Sequence, residues 1–127
     1  MHDDRTIGLP AKLTAWQRAM DLLVEVYRLT ERLPAKERYD LASQMRRAAY
    51  SIPANIAEGN ARAHRKEYLQ FLAIARGSAA ELATHLEVAR RVGYLSDADL
   101  DQARKLSERV GQLLTRLVAS LSNPGNI

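Results

Sequence analysis

Four stretches of this sequence repeat apolar residues at steps of three and four, the spacing that places side chains on one face of an α-helix. Prolines and glycines separate these stretches, at Leu33-Pro34, Gly59, Gly93 and residues 123–125. No stretch shows the alternating pattern of a β-strand. Because the connections are short, we predict an all-α protein folded as an antiparallel, up-down-up-down four-helix bundle.

The first apolar stretch predicts a helix with Thr14 as its N-cap and Gln17 completing a capping box, which ends before Pro34. Its expected core stripe is Trp16, Met20, Leu23 and Tyr27.

The second stretch combines a helical stripe with an internal proline. Pro34 suits its first turn, and Gly59 is expected as its C-terminal cap. Pro53 has no N–H to donate to the carbonyl of Ala49, so we expect a kink there. The core stripe is Leu41, Met45, Ala48, Ile52 and Ile56.

The third stretch predicts a helix from about His64 to Val92, which Gly93 ends. Two faces of this helix are apolar. The core face is expected to carry Tyr68, Phe71, Ala75, Leu82, Leu86 and Ala89. The second face carries Leu69, Ala73, Ala80 and Ala83. Because one protomer can cover only one of these faces, we expect the second to form an oligomer interface.

The fourth stretch has the clearest start, with Ser96 as N-cap, Asp99 three residues later, and Leu95 and Leu100 at hydrophobic-staple positions. Its stripe is Leu100, Ala103, Leu106, Val110, Leu113, Leu117 and Leu121. At 127 residues the chain fits one domain, which we place at residues 13–122. We expect residues 1–12 to form a disordered or extended tail and residues 123–127 to fray.

Residues suited to catalysis or metal binding are few. The sequence has no cysteine, three histidines and no Glu-x-x-His motif of the kind that binds di-iron centres in bundles. Ser51, Ser78 and Ser107 have no activating motif around them. The Gly77-Ser78 pair is better explained by the close approach of a neighbouring helix. We therefore predict no catalytic residue, no metal site and no cofactor.

A line of polar residues runs beside the core stripe of the second helix. It consists of Arg47, Ser51, Asn55 and Glu58. Polar groups next to a core require hydrogen-bond partners, since an unpaired buried group costs about 1–3 kcal/mol. We interpret the line as a structural polar network, with Glu81 as the charge partner of Arg47.

A basic cluster follows Gly59 in the turn between the second and third helices. It contains Arg62, His64, Arg65 and Lys66, with Arg46 and Arg47 further back along the preceding helix. Side chains of this kind bind phosphates, although such a cluster can also be an ordinary solvated surface. We take Arg46, Arg62, Arg65 and Lys66 as the nucleic-acid-binding candidates. Tyr68 and Tyr94 could in principle stack on bases, but Tyr68 lies on the core stripe and is better assigned to packing.

Charge and hydropathy limit the partners. The net charge of +4 favours anionic partners weakly. No apolar run approaches the ~20 residues that span a bilayer, so we expect a cytoplasmic protein without membrane contact.

Several of these motifs resemble those of a known family. They are Trp16-Gln17, Leu33-Pro34, Glu37-Arg38-Tyr39, Gln44 with Arg46-Arg47-Ala48, Ser51-Ile52, the string Asn55-Ile56-Ala57-Glu58-Gly59, and Gly77-Ser78 with Glu81-Leu82. From about residue 13 to 121 the chain resembles the four-helix bundle proteins encoded in ribosomal RNA intervening sequences. The resemblance implies a homopentamer with a basic surface and no assigned enzymatic activity. More distantly similar accessory proteins of diversity-generating retroelements have nucleic acids and reverse transcriptases as partners.

Two functional hypotheses follow. The first is a non-enzymatic oligomeric scaffold that binds RNA or DNA through backbone electrostatics. The second is a protein–protein interaction module that docks an acidic partner, such as a polymerase or a ribonucleoprotein component.

Overall fold

The computed structural model describes Pro10 and residues 13–122. This part of the chain contains four α-helices, one short 3₁₀ helix and no strand. The elements are α1 Thr14–Thr30, the 3₁₀ helix Ala35–Glu37, α2 Leu41–Asn60, α3 Arg65–Arg91 and α4 Asp97–Ser122. The all-α class and its four helices are confirmed, whereas the predicted tails lie, except for Pro10, outside the described residues.

Helix α1 begins one residue earlier than a Thr14 cap allows. Leu13 is the N-cap, without a side-chain cap hydrogen bond, and Thr14 is the first helical residue, so the predicted capping box is wrong. The core stripe is also shifted, because Tyr27 is 44% exposed while smaller residues face the core. The buried apolar positions of α1 are Ala15, Ala19, Leu22, Val26 and Leu29.

Helix α2 begins at Leu41 rather than at Pro34, which precedes the 3₁₀ helix. One carboxylate oxygen of Glu37 accepts a hydrogen bond from the Leu41 N–H at 3.3 Å and so occupies one free donor of the first turn. Pro53 lies buried inside α2, on the core side.

Gly59 lies inside the last turn of α2, which continues to Asn60 with Ala61 as its C-cap, so its predicted capping role is wrong. A Cβ at this position would lie 2.9 Å from both Phe71 Cβ and Tyr68 Cδ1. Gly59 therefore permits close packing of α2 on α3. Gly77, where we expected a close approach, has open space around its Cα.

The α3–α4 connection follows the prediction closely. Gly93 has a φ of 84°, and the N–H groups of Gly93 and Tyr94 donate to the carbonyls of Arg90 and Ala89 at 3.1 and 2.9 Å. This is a Schellman motif, in which glycine adopts the left-handed conformation without strain. It ends α3 and turns the chain toward α4.

The start of α4 forms the predicted capping box. The Ser96 N–H donates to Asp99 Oδ2 at 2.9 Å, and the Asp99 N–H donates to Ser96 Oγ at 3.1 Å. Leu95 and Leu100, the staple pair, are buried.

Each helix packs against two others, since α1 and α3 both contact α2 and α4. Arg32, just after α1, pairs with Asp99 at the start of α4 at 2.8 Å. Tyr94, just after α3, donates to Glu37 before α2 at 2.7 Å. These contacts bring the ends of α1 and α3 to the starts of α2 and α4, as the predicted up-down-up-down order requires. The core draws on every helix, through Leu22, Met45, Ile52, Leu72, Leu82 and Leu114 among others.

Candidate nucleic-acid interface

The basic cluster lies where the chain leaves α2 and enters α3. His64 is the N-cap of α3, and Arg65 and Lys66 are its first two residues. All three side chains are exposed and line a groove of about 500 Å³ together with Leu69 and Leu121. Within the described residues, no carboxylate lies within ion-pair distance of Arg65 or Lys66. Their charges are therefore available to an external anion.

Arg62 belongs to the same turn but is already engaged. Its guanidinium lies 2.7 Å from Glu58 Oε1 and stacks over the Phe71 ring, 5.0 Å from the centroid. This pair joins the residue after the α2 C-cap to the last turn of α2. Arg62 would have to leave or share Glu58 to contact an external anion.

Arg46 does not join the cluster, contrary to the prediction. It lies near the start of α2, and about 20 Å of helix separates it from Asn60 at 1.5 Å per residue. Its Nε donates to Thr30 Oγ1 at 2.7 Å, its terminal nitrogen lies 3.3 Å from Glu31, and its guanidinium stacks 4.6 Å from the Tyr27 ring centroid. Arg46 is thus held on the α1 side at the other end of the helix.

The polar line of α2 forms only part of the expected network. Asn55 Nδ2 donates to the Ser51 carbonyl at 2.8 Å and to Ser51 Oγ at 2.9 Å, and the Ser78 hydroxyl donates to Ser51 Oγ at 2.8 Å. A polar contact therefore crosses the α2–α3 interface at mid-height. Its α3 member is Ser78, which the sequence argument placed at a close approach instead.

The two charged ends of the expected network do not meet. Arg47 is exposed and contacts no carboxylate in the described part of the chain, while Glu81 Oε1 lies 3.7 Å from His85 Nε2 on its own helix. Glu58, as noted, pairs with Arg62. The predicted Arg47–Glu81 pair is wrong, because Arg47 faces water, where a guanidinium needs no internal carboxylate.

Helix α3 presents the second stripe as expected of an unpartnered face. Ala73, Ala80 and Ala83 are exposed in the single chain, and Leu69 is partly buried. No second chain is present, so their role as an oligomer interface stays a prediction.

A family model described as 23S rRNA-intervening sequence protein matches residues 11–116. The chain belongs to this family. A crystal structure of a protein of unknown function, from the S23 ribosomal protein family of Bacteroides thetaiotaomicron, has the same fold with a TM-score of 0.77. The two sequences are 23% identical, over 83% of this chain and 98% of the other, a likeness that extends to the fold alone. No match to a curated protein was found.

Ion pairs in this family member also join α3 to α4, through Glu87. This carboxylate lies 2.8 Å from Arg90 and from Arg91 on its own helix, and 3.6 Å from Arg104 on α4. The hydrogen bonds from Arg90 and then Arg91 lower the pKa of Glu87 from 4.5 to about 2. Glu87 therefore stays ionised at all but strongly acidic pH.

The sequence argument gave no role to two exposed tyrosines, Tyr39 and Tyr50, and assigned a third, Tyr27, to the core. Tyr27, Tyr39 and Tyr50 are 44%, 88% and 60% exposed. For base stacking, the sequence argument considered only Tyr68 and Tyr94, which are partly buried and hydrogen-bonded to Asn60 and Glu37 respectively. The available signal was the position of Tyr50 at the edge of the α2 stripe, between Arg47 and Ala54.

Two kinds of feature are absent from the described residues. No helix there is long and apolar enough to cross a bilayer. No group of three or more histidine, aspartate and glutamate side chains there is arranged to hold a metal ion.

Proposed function

We propose that this protein is a non-enzymatic, homo-oligomeric helical scaffold that binds RNA or DNA through phosphate contacts. The observation that carries the proposal is the exposed Arg65–Lys66 pair at the start of α3, which lacks carboxylate partners among the described residues. Elsewhere, most arginines of the helices are already paired, for example Arg90 and Arg104.

Electrostatics explain why these two side chains would dominate binding. Each Lys or Arg that contacts a phosphate displaces condensed counterions, which gives salt-dependent and sequence-independent affinity. Within the described residues, Arg65 and Lys66 have no ion pair to give up when they bind, whereas Arg62 must leave or share Glu58. Arg62 then serves as a secondary donor at the edge of the groove.

Oligomerisation would multiply this weak site. The dry face of α3, formed by Leu69, Ala73, Ala80 and Ala83, is the proposed contact between copies. The family resemblance implies a homopentamer, which would repeat the basic cluster around an axis. Several weak sites on one assembly bind a long polyanion more tightly than one site does.

Filter binding against salt concentration tests the proposal. The protein should bind a random-sequence RNA at low salt, with affinity that falls linearly on a log–log plot as salt rises. Replacing Arg65 and Lys66 by alanine together should lower that slope by about 1 for each side chain removed. Lys105→Ala, which removes a cation paired with Asp101 at 2.9 Å, is the matched control. Absent binding at low salt, or affinity indifferent to salt, would refute the proposal.

The alternative is a module that docks an acidic protein, such as a polymerase or a ribonucleoprotein component, on the same basic groove. Affinity purification before and after nuclease treatment separates the two functions. A partner that survives nuclease, combined with no binding of free RNA or DNA, would favour the module.

The proposal includes no cofactor and a cytoplasmic location. Elemental analysis of the purified protein tests the first point, since a stoichiometric bound metal would contradict a purely structural bundle. Cell fractionation tests the second.

A further inference from the structure

Three exposed tyrosines lie on α1, on α2 and on the segment between these helices. Tyr27 lies in the last turn of α1, Tyr39 lies between the 3₁₀ helix and α2, and Tyr50 lies in the first half of α2. An exposed aromatic ring costs solvation free energy that a smaller polar residue would avoid. Exposed rings of this kind offer flat, stackable surfaces to a ligand or to an apolar partner.

Arginines surround these rings. Arg46 covers one face of Tyr27, with its guanidinium 4.6 Å from the ring centroid. Arg38 and Arg46 line the same cleft of about 400 Å³, between the end of α1 and the start of α2. Arg47 lies three residues before Tyr50 on α2, so the two share one side of that helix.

The charge of this surface is positive. In the described chain, neither Arg38 nor Arg47 has a carboxylate within ion-pair distance. Glu31 is the one acidic residue that lines the cleft, and it is paired with Arg46 at 3.3 Å. An anionic group entering the cleft thus meets an unpaired Arg38 and an Arg46 that is only weakly neutralised.

Arg46 is also held in position before any ligand arrives. Thr30, which is 5% exposed, is the one buried polar residue in the described chain. Its hydroxyl donates to the Tyr27 carbonyl at 2.9 Å and accepts the hydrogen bond from Arg46 Nε at 2.7 Å. The buried hydroxyl and the Tyr27 ring fix the guanidinium, which reduces the entropy cost of binding.

We propose that this aromatic–arginine surface, formed by Tyr27, Arg38, Arg46, Arg47 and Tyr50, binds single-stranded nucleic acid. One base stacks on Tyr50, a neighbouring base stacks on the Tyr27–Arg46 pair, and a phosphate lies in the cleft between Arg38 and Arg46. The inference rests on the proposed function and deepens it, because it names single strands as the substrate class. Unpaired bases can be splayed onto aromatic rings, whereas the bases of a duplex are already stacked.

The side-chain chemistry favours a nucleic acid over a protein partner here. A docking surface for a helix would present aliphatic anchors at helical spacing. This surface instead alternates tyrosine with arginine, and Val24 is the one strongly exposed aliphatic side chain beside it. Arginine and tyrosine together provide stacking and phosphate contacts to the same strand.

Fluorescence anisotropy with two labelled probes tests the inference. The probes are a single-stranded oligouridylate and a blunt RNA duplex of equal length, titrated with the full chain at fixed salt. Tyr50→Ala should weaken binding of the single strand by about tenfold, the loss expected for one stacked base. Duplex binding should change little, and Tyr50→Phe, which keeps the ring, should bind the single strand like the parent.

Several outcomes would overturn the inference. If Tyr50→Ala binds the single strand with unchanged affinity, the aromatic–arginine surface is not a binding site. In that case the proposed function still stands, provided that salt-dependent binding through Arg65 and Lys66 is observed. If Tyr50→Ala loses equal affinity for the single strand and for the duplex, the surface has no preference for single strands. A lower oligomeric mass of both Tyr50→Ala and Val24→Ala in light scattering identifies the face as a contact between copies.

Failure of the parent to bind either probe at low salt would refute the proposed function, and the inference with it. Circular dichroism melting distinguishes these results from misfolding. Because Tyr50 is 60% exposed, its replacement should leave the melting temperature nearly unchanged.

Discussion

Gly59 and Gly111 are both helical glycines, and they differ in what surrounds the Cα. At Gly59 a Cβ would lie 2.9 Å from two atoms of α3 and 3.2 Å from the Tyr68 carbonyl oxygen. At Gly111 a Cβ would meet nothing within 4 Å. The same residue type is therefore required by packing at one position and by nothing visible at the other.

We predict that Gly59→Ala destabilises the fold by about 1–3 kcal/mol, because a methyl group there forces Phe71 and the α3 backbone away. Gly111→Ala should instead stabilise it by up to about 1 kcal/mol through higher helix propensity. Urea denaturation followed by circular dichroism measures both. Equal effects of the two substitutions would show that close packing of α2 on α3 is not the reason for Gly59.

Helix ends differ in how their free N–H groups are satisfied. The start of α4 has a reciprocal Ser96–Asp99 capping box, whereas α1 begins after Leu13 with no side-chain cap. Both helices carry a threonine or serine near the start, but only Ser96 occupies the cap position. The hydroxyl at the start of α4 therefore forms a real cap, whereas the similar residue at the start of α1 does not.

Ser96→Ala should lower the free energy of unfolding by about 1 kcal/mol, the usual loss for an N-cap hydroxyl. Thr14→Ala, the matched change at the start of α1, should have an effect near zero. Thermal unfolding of the two variants beside the parent provides the comparison. If Thr14→Ala lowers the free energy of unfolding as much as Ser96→Ala does, Thr14 caps α1 after all.

The ion pairs of Glu87 connect α3 to α4 and make the stability of the fold depend on pH in the acidic range. Because the folded-state pKa is about 2 against an ordinary value of 4.5, the Glu87 carboxylate stabilises the fold above pH 4.5. This contribution is lost as the pH falls from 4.5 through about 2.

We predict that Glu87→Gln lowers the unfolding midpoint at pH 7 and flattens the pH dependence of stability between pH 4.5 and 2. Glu108→Gln, at an exposed carboxylate of α4 without a cationic partner in the described chain, is the control. Midpoints in urea across this pH range would decide the matter. A Glu87→Gln profile parallel to that of the parent would rule out the ion pairs as its cause.

At the scale of the whole molecule, the outer face of α3 is the proposed contact between copies of the chain. The exposed Ala73, Ala80 and Ala83 are small and uncharged, which suits close contact with another helix. The groove beside Arg65 and Lys66 continues into this face through Leu69. Assembly and anion binding would therefore be coupled through neighbouring surfaces.

Ala80→Glu should reduce the oligomeric mass, because a carboxylate placed in a dry contact is left without water or a partner. Gln102→Glu adds the same charge to the exposed side of α4 and should leave the mass unchanged. Light scattering coupled to size-exclusion chromatography measures both. A monomeric parent, or an Ala80→Glu variant of parental mass, would contradict an interface on α3.

The sequence by itself determined the features that depend on near neighbours along the chain. Helical spacing predicted four helices and the bounds of α3 to within one residue, and the Ser96–Asp99 pair predicted the start of α4. The glycine at position 93 predicted the turn after α3, since φ of 84° is favourable for glycine alone. These interactions span five residues or fewer, so the local sequence contains all of their parts.

Tertiary structure alone decided which residues meet across helices. The turn placed Arg65 and Lys66 together as predicted, but Arg46 joined Thr30 and Tyr27 on α1, and Ser78 took the place expected of Glu81 beside the polar line of α2. The core face of α1 also shifted by one residue, toward Ala15 and Ala19. The rotation of each helix about its axis and its height against a neighbour depend on packing of the whole core, and helical periodicity alone leaves both undetermined.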